Sequence, residues 1–272
     1  MSAVAAAPSL VTPLETDDPH ALRLAFRAGR DATTTARLAP GRIQGNLVIL
    51  PDADAQEFLR YCAANPKPCP VLGVGRPGDP LLPALGRDLD IRTDLPRYRV
   101  WRDGALADEP ADVRGLWRDD FVAIVLGCSY SFDQLLVEAG VALRHWERRQ
   151  NPPFWRTSID TVPVGKFGGK LIVSMRPLTP ADAIRAIDVT ARYPAVHGAP
   201  VHIGFPEAIG VDLQRPDGGQ ALAVEPGELP VFWACGVTPQ SAIEYAKPAL
   251  CITHWPGAML VTDLKLSDLT PS

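Results

Sequence analysis

Apolar and polar positions alternate in two rhythms along this chain. Residues 18–29 carry leucines and Phe26 at helical spacing behind an acidic start, and residues 53–64 (ADAQEFLRYCAA) repeat that pattern until Asn65–Pro70 stops it. VLGVG at 71–75 predicts a short buried strand, and YRVWRDG at 98–104 an alternating surface strand entering an Asp-Gly turn. LWRDDFVAIVLG supplies a further strand, and residues 131–149 a long amphipathic helix with Gly140 as its natural break.

The pattern changes at Gln150–Pro153, a polar, proline-bearing link into β-like stretches around TVPVG and KLIVSM. Thr179 and Pro180 predict a cap and first-position proline for the helix ADAIRAIDVTARY; VHIGF then predicts a strand, and RPDGG at 215–219 a turn. This order reads as an α/β protein. A smaller two-layer α+β unit over residues 145–227 is expected to be inserted into a larger three-layer α/β domain built from 1–144 and 228–272, with a site in the cleft between them.

Two segments share one arrangement. Residues 122–134 (VAIVLGCSYSFDQ) and 231–240 (VFWACGVTPQ) each end an apolar strand on a cysteine and run into a helix-like stretch. Ser131 and Thr238 stand three positions after Cys128 and Cys235, where each is expected to cap the following helix. Side by side at the carboxyl ends of strands in an open sheet, the two turns would bring two thiols and two helix N-termini to one small-molecule site. The bland alternative is that both cysteines pack as small buried hydrophobes.

Composition narrows the field. With 272 residues, 46% hydrophobic and 21% charged, the chain has the make-up of a folded globular protein. A formal charge of -4 without a basic stripe argues against a nucleic-acid surface. The first 18 residues read as a loose tail lacking the marks of a secretory or transit segment, and no apolar run is long enough to span a bilayer. Five cysteines without a CxxC pair suggest reduced thiols and a cytoplasmic protein.

Other residues invite chemistry. His197, His202 and His254, with Cys235, include suitable zinc ligands, although a gap of five sets the first two on opposite faces of an extended strand. His254, between ALCIT and a Pro-Gly turn, is the acid–base candidate, with Asp263 as a partner or a simple turn former. Arg92 either holds a carboxylate or closes a loop with Asp90 and Asp94; Arg176, in SMRP, reads more as a structural ion pair. Gln44 and Asn46 sit at the mouth of an apolar run, as ligand contacts or strand-edge partners. GKFGGK at 165–170 lacks the spacing of a phosphate loop and reads as a hairpin, so no nucleotide is expected.

Taken in order, RIQGNLVILP, NPKPCPVLGVG, DIRTDLPRYRV, GCSYSFDQLL, VSMRP, HGAPVHIG, PVFWACGVTPQ and ITHWPG with VTD resemble the D-glutamate cyclase-like family, which includes bacterial hydro-lyases, over roughly residues 40–265. Tyr130, Asp133 and Ala258 depart from the pattern. The resemblance implies a two-domain α/β fold and loss of water from a small amino acid, as when D-glutamate closes to 5-oxo-D-proline. On that basis Cys128, Cys235 and His254 are the expected catalytic groups, and Arg92, Ser131, Thr238, Gln240 and His202 the expected substrate contacts. A small carboxylate or amino acid is the expected partner, with neither nucleic acid nor membrane; a homo-oligomer and a divalent metal stay open. Two rivals also stay open: a two-cysteine amino-acid racemase or epimerase, and a non-catalytic small-acid-binding protein.

Overall fold

The computed structural model describes residues 16–269, so the first 15 residues of the expected tail lie outside it. In chain order the elements are α1 (Pro19–Arg27), β1 (Arg42–Pro51), α2 (Asp52–Ala64), β2 (Val71–Val74), β3 (Tyr98–Arg102), β4 (Ala105–Asp108), β5 (Phe121–Gly127), α3 (Tyr130–Glu138) and α4 (Arg144–Glu147). They continue with β6 (Phe154–Asp160), β7 (Lys170–Leu178), α5 (Pro180–Ala191), β8 (His202–Ile203), β9 (Leu229–Ala234), α6 (Thr238–Ala246), β10 (Cys251–His254) and β11 (Leu260–Lys265).

Local signals account for several boundaries. The Asp18 carboxylate accepts from the His20 N–H ahead of Pro19, and the Thr179 hydroxyl accepts from Asp182 ahead of Pro180. Asp103 and Gly104 take positive φ in the tight turn between β3 and β4, as the Asp-Gly pair requires. The stretch 131–149 is divided where expected: α3 stops at Glu138 and Gly140 turns at φ 79°. Val164 bridges Phe167, making the glycine–lysine segment a hairpin.

Seven strands form the larger sheet in the order β2-β5-β1-β10-β3-β4, with β11 also paired to β1; four form the smaller one, β6-β7-β9-β8. Every strand pairing in both is antiparallel. The molecule is thus a mixed helix-and-strand fold with two sheets, consistent with the expected α/β class. Leu229–Ala234, which the sequence pattern places with the larger unit, pairs with β7 and β8 in the smaller sheet, and the chain re-enters the larger sheet at β10.

Burial explains the apolar runs except β2, expected to be buried but lying at the sheet edge with Val71 and Val74 exposed. All seven residues of β5 are buried, and alternate positions enter different clusters. Leu47, Ile49, Ala123 and Val125 pack with Leu85, Leu89 and Leu95 on one face, while Val48, Leu50, Ile124 and Leu126 pack with Phe58, Tyr61 and Ile243 of α2 and α6 on the other. The smaller sheet is also covered twice, by Phe132, Leu136 and Ala186 against Trp233, and by Ile209, Val211 and Leu222 against Phe232. Among the described residues no helix is long and apolar enough to cross a membrane.

Candidate active site

The two cysteine turns meet. Cys128 follows β5 of the larger sheet, Cys235 follows β9 of the smaller one, and both line a single cavity of ≈ 70 Å³ together with Asn46, Ser129, Tyr130, Ser174 and His254. That is several times the ~10–15 Å³ a cavity needs to admit one water.

The meeting rests on one local construction made twice. β1 and β5 pair up to Gly45 opposite Gly127, and β7 and β9 pair from Val173 opposite Ala234, so the next positions are Gln44 beside Cys128 and Ile172 beside Cys235. At the first, the Ser131 hydroxyl accepts from the Gln44 N–H at 2.9 Å and donates to its carbonyl at 3.4 Å. At the second, the Thr238 hydroxyl accepts from the Ile172 N–H at 3.0 Å and donates to its carbonyl at 3.3 Å. These hydroxyls therefore continue each ladder past the strand end. The expected caps are corrected: neither α3 nor α6 has a side-chain cap, because both hydroxyls are taken by the neighbouring strand, and neither lines the cavity. Two residues further along each strand stand Asn46 and Ser174, and both do line it.

Main-chain N–H groups beside each cysteine, of Tyr130 for Cys128 and of Val237 and Gly236 for Cys235, pull its thiol toward the thiolate. Burial dominates nonetheless, pushing Cys128 up to about 12 and Cys235 above its ordinary value, while nearby Arg176 pulls both down. The resting groups are thiols.

Arg176 is fully buried. Its Nε and Nη2 donate to Asp133 Oδ1 at 3.0 and 2.8 Å, and His145 Nε2 lies 3.0 Å from Asp133 Oδ2. Burial would raise the Asp133 carboxyl, but Arg176 and His145 more than offset it and hold it below the ordinary range. Arg176 also donates to Ser174 Oγ at 2.9 Å and to Ser129 Oγ at 3.4 Å. A hydroxyl that accepts from a guanidinium is left with its own O–H to give, so both serines can present donors to an anion in the cavity.

Asn46 supplies the opposite polarity. Its Nδ2 donates to the Gly127 carbonyl at 2.7 Å, and its Oδ1, on a residue 1% exposed, has no partner. A buried acceptor without a donor is costly, and a ligand N–H would satisfy it. His254, last in β10, has its Nδ1 3.1 Å from the Leu47 nitrogen and 3.4 Å from the Leu47 carbonyl oxygen. Burial lowers it to about 4, so it enters the site uncharged, and the Gln240 amide lies 3.5 Å from Nε2.

Other expectations fall away from this cavity. Arg92 is held by Asp90 through Nε at 2.9 Å and Nη2 at 2.8 Å, the local loop closure that the neighbouring aspartates allowed. His202 Nε2 bonds the Phe205 carbonyl at 3.1 Å, and His197 Nδ1 the Lys67 carbonyl at 2.9 Å. Asp263 binds Arg23 at 2.8 Å and not His254. Gln240 is buried behind His254. Among the described residues no three His, Cys, Asp or Glu side chains are grouped to hold a metal ion. Arg176 is the structural ion pair expected of it, but its partners Asp133 and His145 and its contacts with Ser129 and Ser174 went unforeseen, although Ser174 and Arg176 interrupt the largely apolar run KLIVSMRPL, a visible signal of buried polar work.

A family model described as D-glutamate cyclase matches residues 122–263. A Verminephrobacter eiseniae protein named "Putative hydro-lyase" is 60% identical over 253 residues, covering 93% of this chain and 92% of its own length. Relatives of that name from Bordetella petrii and Rhodopseudomonas palustris are 62% and 58% identical, covering 89% and 92% of this chain and 92% of each relative. A solved nitrogen repressor-like protein from Methanococcus jannaschii aligns with 93% of this chain and 97% of its own at 11% identity, with a TM-score of 0.41. On the family match and the near-complete coverage by its relatives, the chain belongs to the D-glutamate cyclase family.

Proposed function

We propose that this protein is a carbon–oxygen hydro-lyase that closes a small amino acid, D-glutamate in the first instance, to its lactam with loss of water. The observation that carries the reading is the cavity's polarity: one cavity is lined by an unpartnered buried acceptor on Asn46, by two serine hydroxyls backed by Arg176, and by two thiols. That set is complementary to an ammonium and a carboxylate joined by one carbon. Family membership and the names of the relatives point the same way.

Ring closure moves two protons from nitrogen to the departing oxygen. In this reading Asn46 Oδ1 takes an amine N–H, the Ser129 and Ser174 hydroxyls hold the α-carboxylate, and Cys128 and Cys235 each carry one proton. His254, neutral in the buried site, serves as a hydrogen-bonding partner to the oxygen on which charge develops. Holding amine and side-chain carboxyl together supplies the entropic part of the rate. The two sheets would form a larger three-layer unit and a smaller inserted two-layer unit, with the cavity where they join. Incubating the purified protein with D- and L-glutamate and following 5-oxoproline by chiral chromatography tests the reading; absence of lactam at long times from both enantiomers sinks it.

A further inference from the structure

We propose that the same cavity also exchanges the Cα proton of an amino acid, with Cys128 and Cys235 as the two proton carriers. This activity rests on the reading of the ligand as an amino acid but not on loss of water.

Lactam closure employs both thiols as proton carriers but asks nothing of Cα and does not require a repeated half-site. The structure nevertheless repeats one: Cys128, Ser131, Gln44 and Asn46 on the larger sheet correspond position by position to Cys235, Thr238, Ile172 and Ser174 on the smaller. Asn46 and Ser174, the equivalent pair that faces the cavity, are the groups suited to the ammonium and the carboxylate. Cα is bonded to the carbon of one and the nitrogen of the other. Both sulfurs line that same cavity, one following a strand of each sheet, so a Cα held between Asn46 and Ser174 shares the cavity with a thiol from each half-site.

The step balances without an oxidant or a further reactant. One sulfur, after its thiol has released its proton to solvent, takes the Cα proton as thiolate, and the electron pair of the broken C–H bond spreads onto the carboxylate held by Ser129 and Ser174. The other S–H bond breaks to deliver its proton to the opposite face. The product is the mirror-image amino acid, and the two sulfurs have exchanged protonation states, to be reset through solvent.

The test uses the full chain in deuterium oxide with D-glutamate and, separately, L-glutamate, read by proton NMR at Cα and by chiral chromatography for both enantiomers and the lactam. Expected early in the reaction is deuterium in the newly formed enantiomer while recovered substrate keeps its hydrogen, the signature of two carriers, which needs no variant. Cys128→Ser and Cys235→Ser, checked for folding by circular dichroism, should each slow exchange at least about a hundredfold. Lactam formation with no deuterium at Cα overturns the inference and leaves the hydro-lyase reading standing. Deuterium without lactam supports the inference and removes that reading. Neither product overturns both, and exchange that persists in both folded cysteine variants overturns the role of the thiols.

Discussion

Asn46 occupies the space in which a side chain on Gly236 would begin. A Cβ there would stand 2.1 Å from Asn46 Nδ2 and 2.6 Å from its Oδ1, so the glycine after one cysteine is what lets the amide from the other half-site enter the cavity. Gly236→Ala should therefore displace Asn46, cost about 1–3 kcal/mol in denaturant unfolding and lower kcat/KM at least about tenfold. Asn46→Ala should lower kcat/KM by a similar factor with little loss of stability. Unchanged turnover in both variants would remove Asn46 from substrate binding.

The pair Arg176–Asp133 should govern stability as much as chemistry. Arg176→Met leaves a buried carboxylate with only His145 beside it, and should cost about 3–5 kcal/mol. Pairing it with Asp133→Leu removes the stranded charge, so the double variant should recover part of that loss while staying inactive, because Ser129 and Ser174 lose the guanidinium that orients them. Denaturant midpoints and turnover, measured on the same three proteins, check this.

Acid should destabilise the protein earlier than its carboxylates require. His197 and His254 are both lowered to about 4 by burial, whereas an unfolded histidine titrates near 6.5. The unfolded state binds more protons through that window, so stability is complete above about pH 6.5 and falls as the pH drops toward 4. Between pH 7 and 5 each histidine should contribute about 2 kcal/mol of loss. Urea midpoints at both pH values test the sign, and His197→Asn should flatten the slope by about half.

Thiol modification should be ordered. Cys235 is partly exposed whereas Cys128 is buried and pushed up to about 12, so iodoacetamide should label Cys235 first. Labelling of Cys128 should gain about tenfold per pH unit through pH 9, followed by peptide mass spectrometry. Glutamate, if it fills the cavity, should slow both.

Arg92→Gln and His202→Gln should leave turnover within about twofold of the parent. Both residues are spent locally, on Asp90 and on the Phe205 carbonyl, and neither borders the cavity. A tenfold loss in either would place the substrate elsewhere.

The helices α1, α2 and α5, the β5 strand, the division of the 131–149 stretch at Gly140 and the paired strand–cysteine–helix segments were legible in the chain, because period, caps and turn residues act over a few neighbours. The ordered motifs also carried the family. Which sheet each strand joins was not legible: PVFWACG reads alike whether it pairs with β1 or with β7, and only the ladder register with Lys170–Leu178 decides. The same holds for Ser131 and Thr238, whose hydroxyls are equally suited by sequence to cap a helix or to extend a ladder, and which the adjacent strand claims. Asn46, Ser174 and Arg176, far apart in sequence, acquire a shared purpose only where two sheets place them around one void, since burial and hydrogen-bond partnership are properties of the packed chain and not of any window of it.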